Sequence, residues 1–372
     1  MTEKNGYIII CNKINEHKRE ETLKNSRGGV EYIIMEEKLK RNQGKKYLGI
    51  REIAKMAGVS TATVSRVMNH PEKCSAKTRE KVTKIIEENH YIPNDTIKSI
   101  FANESNIIAI FIQDINNPFY TRLVLEINNL CFKNHYMLLI CDTEDNQEKE
   151  RAYLEYCIAK RCAGIILTEG YSWEIFKNAD VPVVFFDRGR EENSVYVASD
   201  NYESARKVVD YLCNLGHERI GFVGSMSDFE SVQCRYQGYK DELKARGVIF
   251  DRQYVYGEKG YMRAEIGRNA LRYFLSLEEP PTAVFCACDI LALGVVNAAR
   301  KMNIQIPEQL SVCGFDHVMD DYFYMQLTTV EQDVPGIAQA LFEEVVNYRD
   351  EPCRRIVKSK FIYGETCARV QR

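Results

Sequence analysis

What the 372-residue chain lacks narrows its function first. No stretch stays apolar for the roughly 20 residues that a membrane-spanning helix needs, so no membrane partner is expected. The short apolar run Tyr7–Cys11 lies among Glu, Lys and Asn, with no small-residue cleavage pattern after it. That argues against a secretory signal and predicts a cytoplasmic protein. The chain has 13 cysteines but no C-x-x-C pair. Without export, they read as free thiols, several of them inside apolar strand-like runs (Cys141, Cys286, Cys288, Cys313). Cys286 and Cys288 would share one face of a strand, but further ligands are missing, so no metal is expected. No G-x-x-x-x-G-K-[ST] or G-x-G-x-x-G stands at a strand-to-helix turn, which argues against nucleotide binding. G-x-S-x-G, a metal-spaced histidine pair and a nucleophile–base set are missing as well. The 6 histidines are scattered, and His217 reads as structural. No enzyme activity and no cofactor are expected.

What is present is length, a normal core composition and an uneven charge. A chain of 372 residues predicts two or three domains. The net charge of −3 hides an asymmetry. Residues 45–104 carry 11 Lys and Arg against 7 Asp and Glu, whereas residues 105–372 carry 30 against 39. A basic head on an acidic body suits a head that touches a polyanion.

The head holds a tight pattern starting at Ile50. Small Ala54 leaves room for a second helix to cross closely. Gly58 suits the left-handed end of the first helix, and Ser60 suits the cap of the second. Val64 and Val67 face inward against Ile50, Ile53 and Ala57. A third helix starts after Ser75, shows Val82, Ile85 and Ile86 as its apolar stripe, and ends before Pro93. This is the pattern of a helix-turn-helix, whose second helix enters the DNA major groove. The outward positions Thr61, Ala62, Thr63, Ser65, Arg66 and Asn69 are small or hydrogen-bonding, as such a helix needs. The competing reading is a helical hairpin used only for packing.

The stretches "IREIAKMAGVSTATVSRVMN", "SAKTREKV" and "YIPN" resemble the DNA-binding head of the lactose/galactose repressor family over residues 49–103. The resemblance implies that Thr61, Ala62 and Arg66 read bases, with Arg66 bidentate on a guanine. It implies that Thr63, Ser65 and Asn69 bond phosphates. Gly49 stands where many relatives have a threonine cap. Residues 94–104 would be a hinge that folds on DNA, with Ile97 in the dimer contact and Ile100 wedged into the minor groove. The plainer reading is a linker packed on the body.

From Asn106 on, short apolar strand candidates alternate with helix-length amphipathic stretches at 201–215, 231–246, 262–277 and 289–303. The strand candidates are "NIIAIFIQ", "YMLLIC", "AGIILTE", "VPVVFFD", "RIGFVG", "TAVFCACD" and "LSVCGFD". Such runs predict doubly wound α/β domains with parallel sheets buried on both faces. Functional groups in these folds sit at the carboxyl ends of strands. Those ends are Asp114, Asp142, Asp187, Asp200, Ser225, Asp289 and Asp316. Asn117 caps a helix with Pro118 at its first position, which sets Phe119 and Tyr120 at the mouth. Arg235 lies on the helix after Ser225.

The body, over about 106–366, resembles the sensor of the same family, itself similar to periplasmic sugar-binding proteins. "DINNPFY", "PVVFFDR", "LGHERIGFVG", "RYQGY", "CDILALGV" and "LTTVEQD" carry the resemblance. It implies two lobes clasping an effector, with Arg235 and Asp316 hydrogen-bonding it, Asp187 assisting, and Phe119 and Tyr261 giving apolar surface. Arg and Asp on paired hydroxyls with an aromatic face on the ring suit a sugar. Cys288 stands where relatives often have asparagine. The plainer readings are a solvated Arg235, Asp289 as a helix cap, Tyr261 as packing and Asp114 as a turn-former.

The expected division is an N-terminal extension at 1–46, disordered and with Met35 as the expected true start, then a helix-turn-helix domain at 47–93. A hinge follows at 94–104, and then a two-lobed effector-binding and dimerisation domain at 105–372. The expected function is a homodimeric, sugar-controlled repressor on a pseudo-palindromic operator. The alternatives are a regulator whose corepressor is a partner protein, and a solute-binding protein with no DNA role.

Overall fold

The computed structural model describes residues 48–89, 91, 105–144, 146–168, 173–176, 179–187, 194–224, 230–258, 262–318 and 322–370. The expected extension, the hinge with Ile97 and Ile100, Ser225 and Tyr261 lie outside these residues. The chain divides into two compact units, Met1–Asn103 and Glu104–Arg372.

In the first unit, α1 (Ile50–Ala57), α2 (Thr61–Asn69) and α3 (Ala76–Glu88) close around one small core. Ile53, Ala57, Val64 and Val82 are fully buried there, with Ala54 and Val67 nearly so. The turn between α1 and α2 works because Gly58 sits at φ 62°, in the left-handed region that a side chain would strain. Val59 N–H then donates to the Ala54 carbonyl at 3.0 Å. Gly49, which lacks a capping side chain, is compensated from the other side. Glu52 reaches back to accept the Gly49 N–H at 2.9 Å.

The second unit alternates strands and helices. Its first part runs β1 (Ile107–Ile112), α4 (Pro118–Lys133), β2 (Met137–Asp142), α5 (Gln147–Ala159), β3 (Gly164–Leu167), α6 (Trp173–Phe176), β4 (Val183–Phe186) and β5 (Val195–Ser199). Its second part runs α7 (Asn201–Asn214), β6 (Ile220–Val223), α8 (Glu230–Ala245), β7 (Val255–Tyr256), α9 (Ala264–Leu275), β8 (Ala283–Cys286), α10 (Asp289–Lys301) and β9 (Ser311–Cys313). The last stretch adds β10 (Thr329–Glu331), α11 (Val334–Val346), β11 (Cys353–Val357) and β12 (Lys360–Ile362).

Two parallel sheets result, one per lobe. The first has strand order β11-β5-β4-β3-β1-β2, the second β7-β6-β8-β9. Both are buried on both faces. Ile108, Ile110 and Ile112 pack on one side of the first sheet, Ala109 and Phe111 on the other. Phe222, Val284 and Phe285 centre the second core. There α9 and α10 pack so closely that a Cβ on Gly267 or Gly294 would strike the facing backbone.

The chain passes between the lobes at three places. It leaves the first sheet after β5, returns between β10 and α11, and leaves again between β11 and β12. The strand and helix candidates named from the sequence within the described residues are all present. Unanticipated are β5, β7, β10, β11 and β12, and helices α5, α6 and α11.

Candidate functional site

The head presents its groove-facing candidates on α2. Ser60 caps this helix: its hydroxyl accepts the Thr63 N–H at 3.1 Å and lies 2.9 Å from the Thr63 hydroxyl. Thr61, Ala62 and Arg66 are exposed, while Thr63 and Ser65 are half-buried. Thr63 is therefore partly committed to the cap, a role the outward-face reading did not include. Asn69 ends α2, but its side chain is not among those described.

In the body, the strand ends converge on a cleft of about 620 Å³, part of it open to solvent. Asp114, Phe119, Asp187, Arg235 and Asp316 all line it. Phe119 stacks on Phe186 with ring centroids 5.8 Å apart and planes 14° from parallel. Asn117 accepts the Phe119 N–H at 3.1 Å and so fixes the first turn of α4.

The floor of the cleft is a closed ring of six residues, linked through five side chains and both the hydroxyl and the backbone N–H of Ser199. Asp187 Oδ1 accepts from the Ser199 backbone N–H and from Asn201 Nδ2, both at 3.0 Å. Asn201 Oδ1 accepts from Arg235 Nε at 2.9 Å. Arg235 Nη1 donates to the Ala287 carbonyl at 2.5 Å and reaches Asp316 Oδ1 at 3.5 Å. The same Asp316 oxygen accepts from Gln332 Nε2 at 2.6 Å. Gln332 Oε1 accepts from the Ser199 hydroxyl, which closes the ring. Ser199, Asn201 and Gln332 sit on two of the three lobe crossings, so the cleft floor and the crossings share one network.

Arg235 is 5% exposed and lies over the Phe315 ring, 3.7 Å from its centroid. The reading of a solvated Arg235 is thereby excluded. Burial in this floor pushes the Asp187 and Asp316 carboxyls up to about 6, against the opposing pull of the Arg235 charge. Both aspartates hold left-handed backbone, φ 53° at Asp187 and φ 113° at Asp316. Strain of this kind persists where surrounding contacts over-determine it, and it clusters at functional sites.

The other strand ends play different parts. Asp289 is not a cap: Cys288 holds the N-cap position, and Asp289 is the first residue of α10. Its carboxylate is buried and accepts from Thr329 Oγ1 at 2.7 Å and from Val318 N–H at 3.2 Å. Burial and the Asp316 charge push it well above the usual carboxylate range. Asp200 accepts from Ser204 Oγ at 3.0 Å and Ser359 N–H at 2.8 Å, which pins the third crossing to the first. Asp142 is half-buried at the end of β2 and does not line the cleft. Asp114 accepts from Asn116 N–H at 2.9 Å, a turn-former, and it also lines the cleft. Cys288 lines it too. His217 bridges Thr282, Ser311 and the Ala368 carbonyl, as its structural reading requires.

Sequence reasoning missed Asn201, Ser199 and Gln332. Asn201 directly follows the strand-end Asp200, a signal that could have found it. Gln332 lies in the stretch "LTTVEQD" but was given no role from it, and Ser199 carried no signal, because neither crossing is visible before the lobes are assembled.

A helix-turn-helix unit followed by a two-lobed unit with a polar cleft defines a DNA-binding regulator under small-molecule control. Comparison with known proteins agrees. Residues 49–94 match the bacterial regulatory proteins of the lacI family, and residues 209–367 match the periplasmic binding protein-like domain. The transcriptional repressor CytR of Escherichia coli K12 is 32% identical over 289 residues, spanning 76% of this chain and 84% of CytR. The repressor PurR of Vibrio atlanticus is 31% identical over 301 residues, 79% of this chain and 90% of PurR. Among solved structures, the regulator CelR in complex with cellobiose aligns at TM-score 0.64 and 25% identity, covering 86% of this chain and 99% of that one. A LacI-type regulator of Alkaliphilus metalliredigens with D-xylulofuranose aligns at TM-score 0.63 and 27% identity, covering 71% and 99%. The chain belongs to the LacI family: it is a DNA-binding transcriptional regulator and not an enzyme. Among the described residues, no helix is long and apolar enough to cross a membrane.

Proposed function

We propose that this regulator is a cytoplasmic homodimeric repressor whose operator affinity is set by an uncharged sugar or sugar derivative in the cleft. The closed ring through Asp187, Arg235 and Asp316 is the observation that carries this reading. Among the described lining residues, three aspartates face a single arginine, and that arginine is already engaged by Asn201, Ala287 and Asp316. Such a floor offers carboxylate acceptors to a ligand that donates hydroxyl hydrogens, and it repels an anion. The stacked Phe119 and Phe186 supply an apolar wall for the C–H face of a sugar ring. CelR and the Alkaliphilus regulator were solved with sugars bound, which supports the same class.

In this reading Thr61, Ala62 and Arg66 read bases, and Thr63, Ser65 and Asn69 hold phosphates. Residues 94–104 are the hinge, with Ile100 the minor-groove wedge, and Tyr261 adds apolar surface to the effector. The domain limits are 47–93 for the head and 105–372 for the sensor, with 1–46 a separate extension. A dimer is supported by an apolar stripe on the first lobe. Leu125 and Phe132, seven residues apart on α4, are 58% and 77% exposed, beside Met137 at 59% on the edge strand β2. Two heads on one dimer match a two-fold operator.

The mechanism is linkage. The effector bonds Asp187 on one lobe and Arg235 and Asp316 on the other, so it favours one lobe arrangement. It shifts operator affinity only by its differential affinity for the two arrangements, typically ~1–3 kcal/mol. The test is a gel shift of the full chain on operators selected from random duplex, with and without a sugar panel. A shift that responds to one sugar supports the reading. Binding with no duplex preference at low salt, in every ligation state, sinks it.

A further inference from the structure

The twelve described cysteines are all free, and the regulatory reading uses none of them except Cys288 at the cleft. They are not equivalent. Cys131 and Cys286 are at most 1% exposed, in apolar surroundings. Burial pushes the Cys131 thiol up to about 12 and that of Cys213 to about 11. Cys157 and Cys162 are neighbours, but both are buried and both are raised far above the ordinary thiol value. Thiols of this kind stay protonated and inert.

One pair differs. Cys313 ends β9, the last strand in the order of the second sheet, and is buried, while Cys367 lies on the last stretch of the chain. Their sulfurs are 3.5 Å apart. The surrounding backbone fixes the two together. Val312 N–H donates to the Thr366 carbonyl at 2.8 Å, and Thr366 Oγ1 donates to the Val312 carbonyl at 2.6 Å. Ala368 N–H donates to Ser311 Oγ at 3.1 Å, and His217 holds the Ala368 carbonyl at 3.1 Å. Cys367 is partly exposed, whereas Cys313 is fully buried.

We propose that Cys313 and Cys367 form a site of reversible oxidation, in which a hydroperoxide converts the thiol pair into a disulfide that ties the end of the chain to β9. Cys367 is the attacking group because it is the accessible member. Burial pushes its thiol up, but hydrogen bonds with the Cys313 thiol and the Thr328 and Thr366 hydroxyls outweigh that and hold it below the usual value. Its thiolate attacks one peroxide oxygen, the O–O bond breaks, and hydroxide or alkoxide leaves, which yields a sulfenic acid. Cys313 then gives up its proton and attacks the Cys367 sulfur. The S–O bond breaks and the leaving oxygen departs as water. Two thiols lose two electrons and two protons, and with hydrogen peroxide two waters form. β9 runs on through Gly314 and Phe315 to Asp316, so the bond would anchor the strand that feeds the cleft floor.

The test uses the full chain, reduced and then exposed to one equivalent of hydrogen peroxide. The chain is then unfolded in guanidinium so that remaining thiols, buried ones included, are alkylated, and the protein is digested and read by mass spectrometry. The expected product is a cross-linked peptide pair joining Cys313 to Cys367, two hydrogens lighter than the reduced pair and lost on adding dithiothreitol. Cys313→Ser should leave a dimedone-reactive sulfenic acid on Cys367, and Cys367→Ser should leave Cys313 fully alkylatable. The wild-type peptide map needs no variant to fold, so the proposal can fail on that map alone. Alkylation of both residues after peroxide, or earlier linkage of Cys157 to Cys162, overturns it.

Discussion

The head and the body solve opposite problems with the same few residue types. The head shows its proposed base-reading side chains to solvent: Thr61, Ala62 and Arg66 are exposed on α2. The body hides its proposed effector-binding side chains: Asp187, Arg235 and Asp316 are each about 5–6% exposed. A groove reader gains nothing from being pre-paired, because its partner is a long polyanion that arrives already shaped. A small-molecule cleft must hold charges in place before the ligand comes, and buried charges require partners. The six-residue ring is how this chain meets that requirement.

The comparison yields a graded set of expected effects. Arg235→Ala should be the most severe, because it strips the cation from between two buried carboxylates. Breaking a buried pair in this way costs about 3–5 kcal/mol, read as a lower urea midpoint. An unchanged midpoint would mean that the ring is looser than its distances. Arg66→Ala should leave the urea midpoint unmoved, yet cost ~1–3 kcal/mol of discrimination between operator and random duplex. Full retention of that discrimination would remove Arg66 from the base-reading face. Ser60→Ala removes the cap of α2 and should cost about 1 kcal/mol of head stability, seen by thermal melting of the 208–222 nm signal.

The smallest effect, and the most diagnostic of burial, is in pH. Asp187 and Asp316 titrate near 6 in the folded body, above the ordinary value of 3.8. The folded state therefore holds protons that the unfolded state has released, so stability falls as pH rises from about 4 to about 6. The Asp187→Asn, Asp316→Asn double variant should show a flatter profile across that window. A sugar donating hydroxyls to ionised carboxylates should in turn bind more tightly above pH 6 than below it, by isothermal titration. The opposite slope would mean that the ligand accepts from protonated acids.

How much of this was legible beforehand follows from where each signal lies. The head was readable almost residue by residue, because Ala54, Gly58, Ser60, Val64 and Val67 all lie within one span of 14 residues, close enough in sequence for their spacing to show. The buried strands were readable as apolar runs. The edge strand β11 was not: its burial alternates between partial and exposed, and it pairs with β5 in parallel register, Cys353 opposite Val195. α11 was missed for a related reason, since its place in the first lobe depends on chain returning from the second. Asp187, Arg235 and Asp316 stood out at strand ends and on one helix. Their partners Ser199 and Gln332 did not, because a neutral side chain at a crossing has no periodic mark.

The sequence alone determined the helix-turn-helix, the doubly wound class and the charged candidates, because those depend on short-range periodicity and on caps and turns. Tertiary structure decided that Asp289 bonds Thr329 and Val318 rather than lining the cleft, that Arg235 is buried, and that two cysteines 54 residues apart come within 3.5 Å. These outcomes depend on three separate crossings bringing distant segments into one hydrogen-bonded floor. No local preference encodes contacts of that range, since they exist only after both sheets have formed.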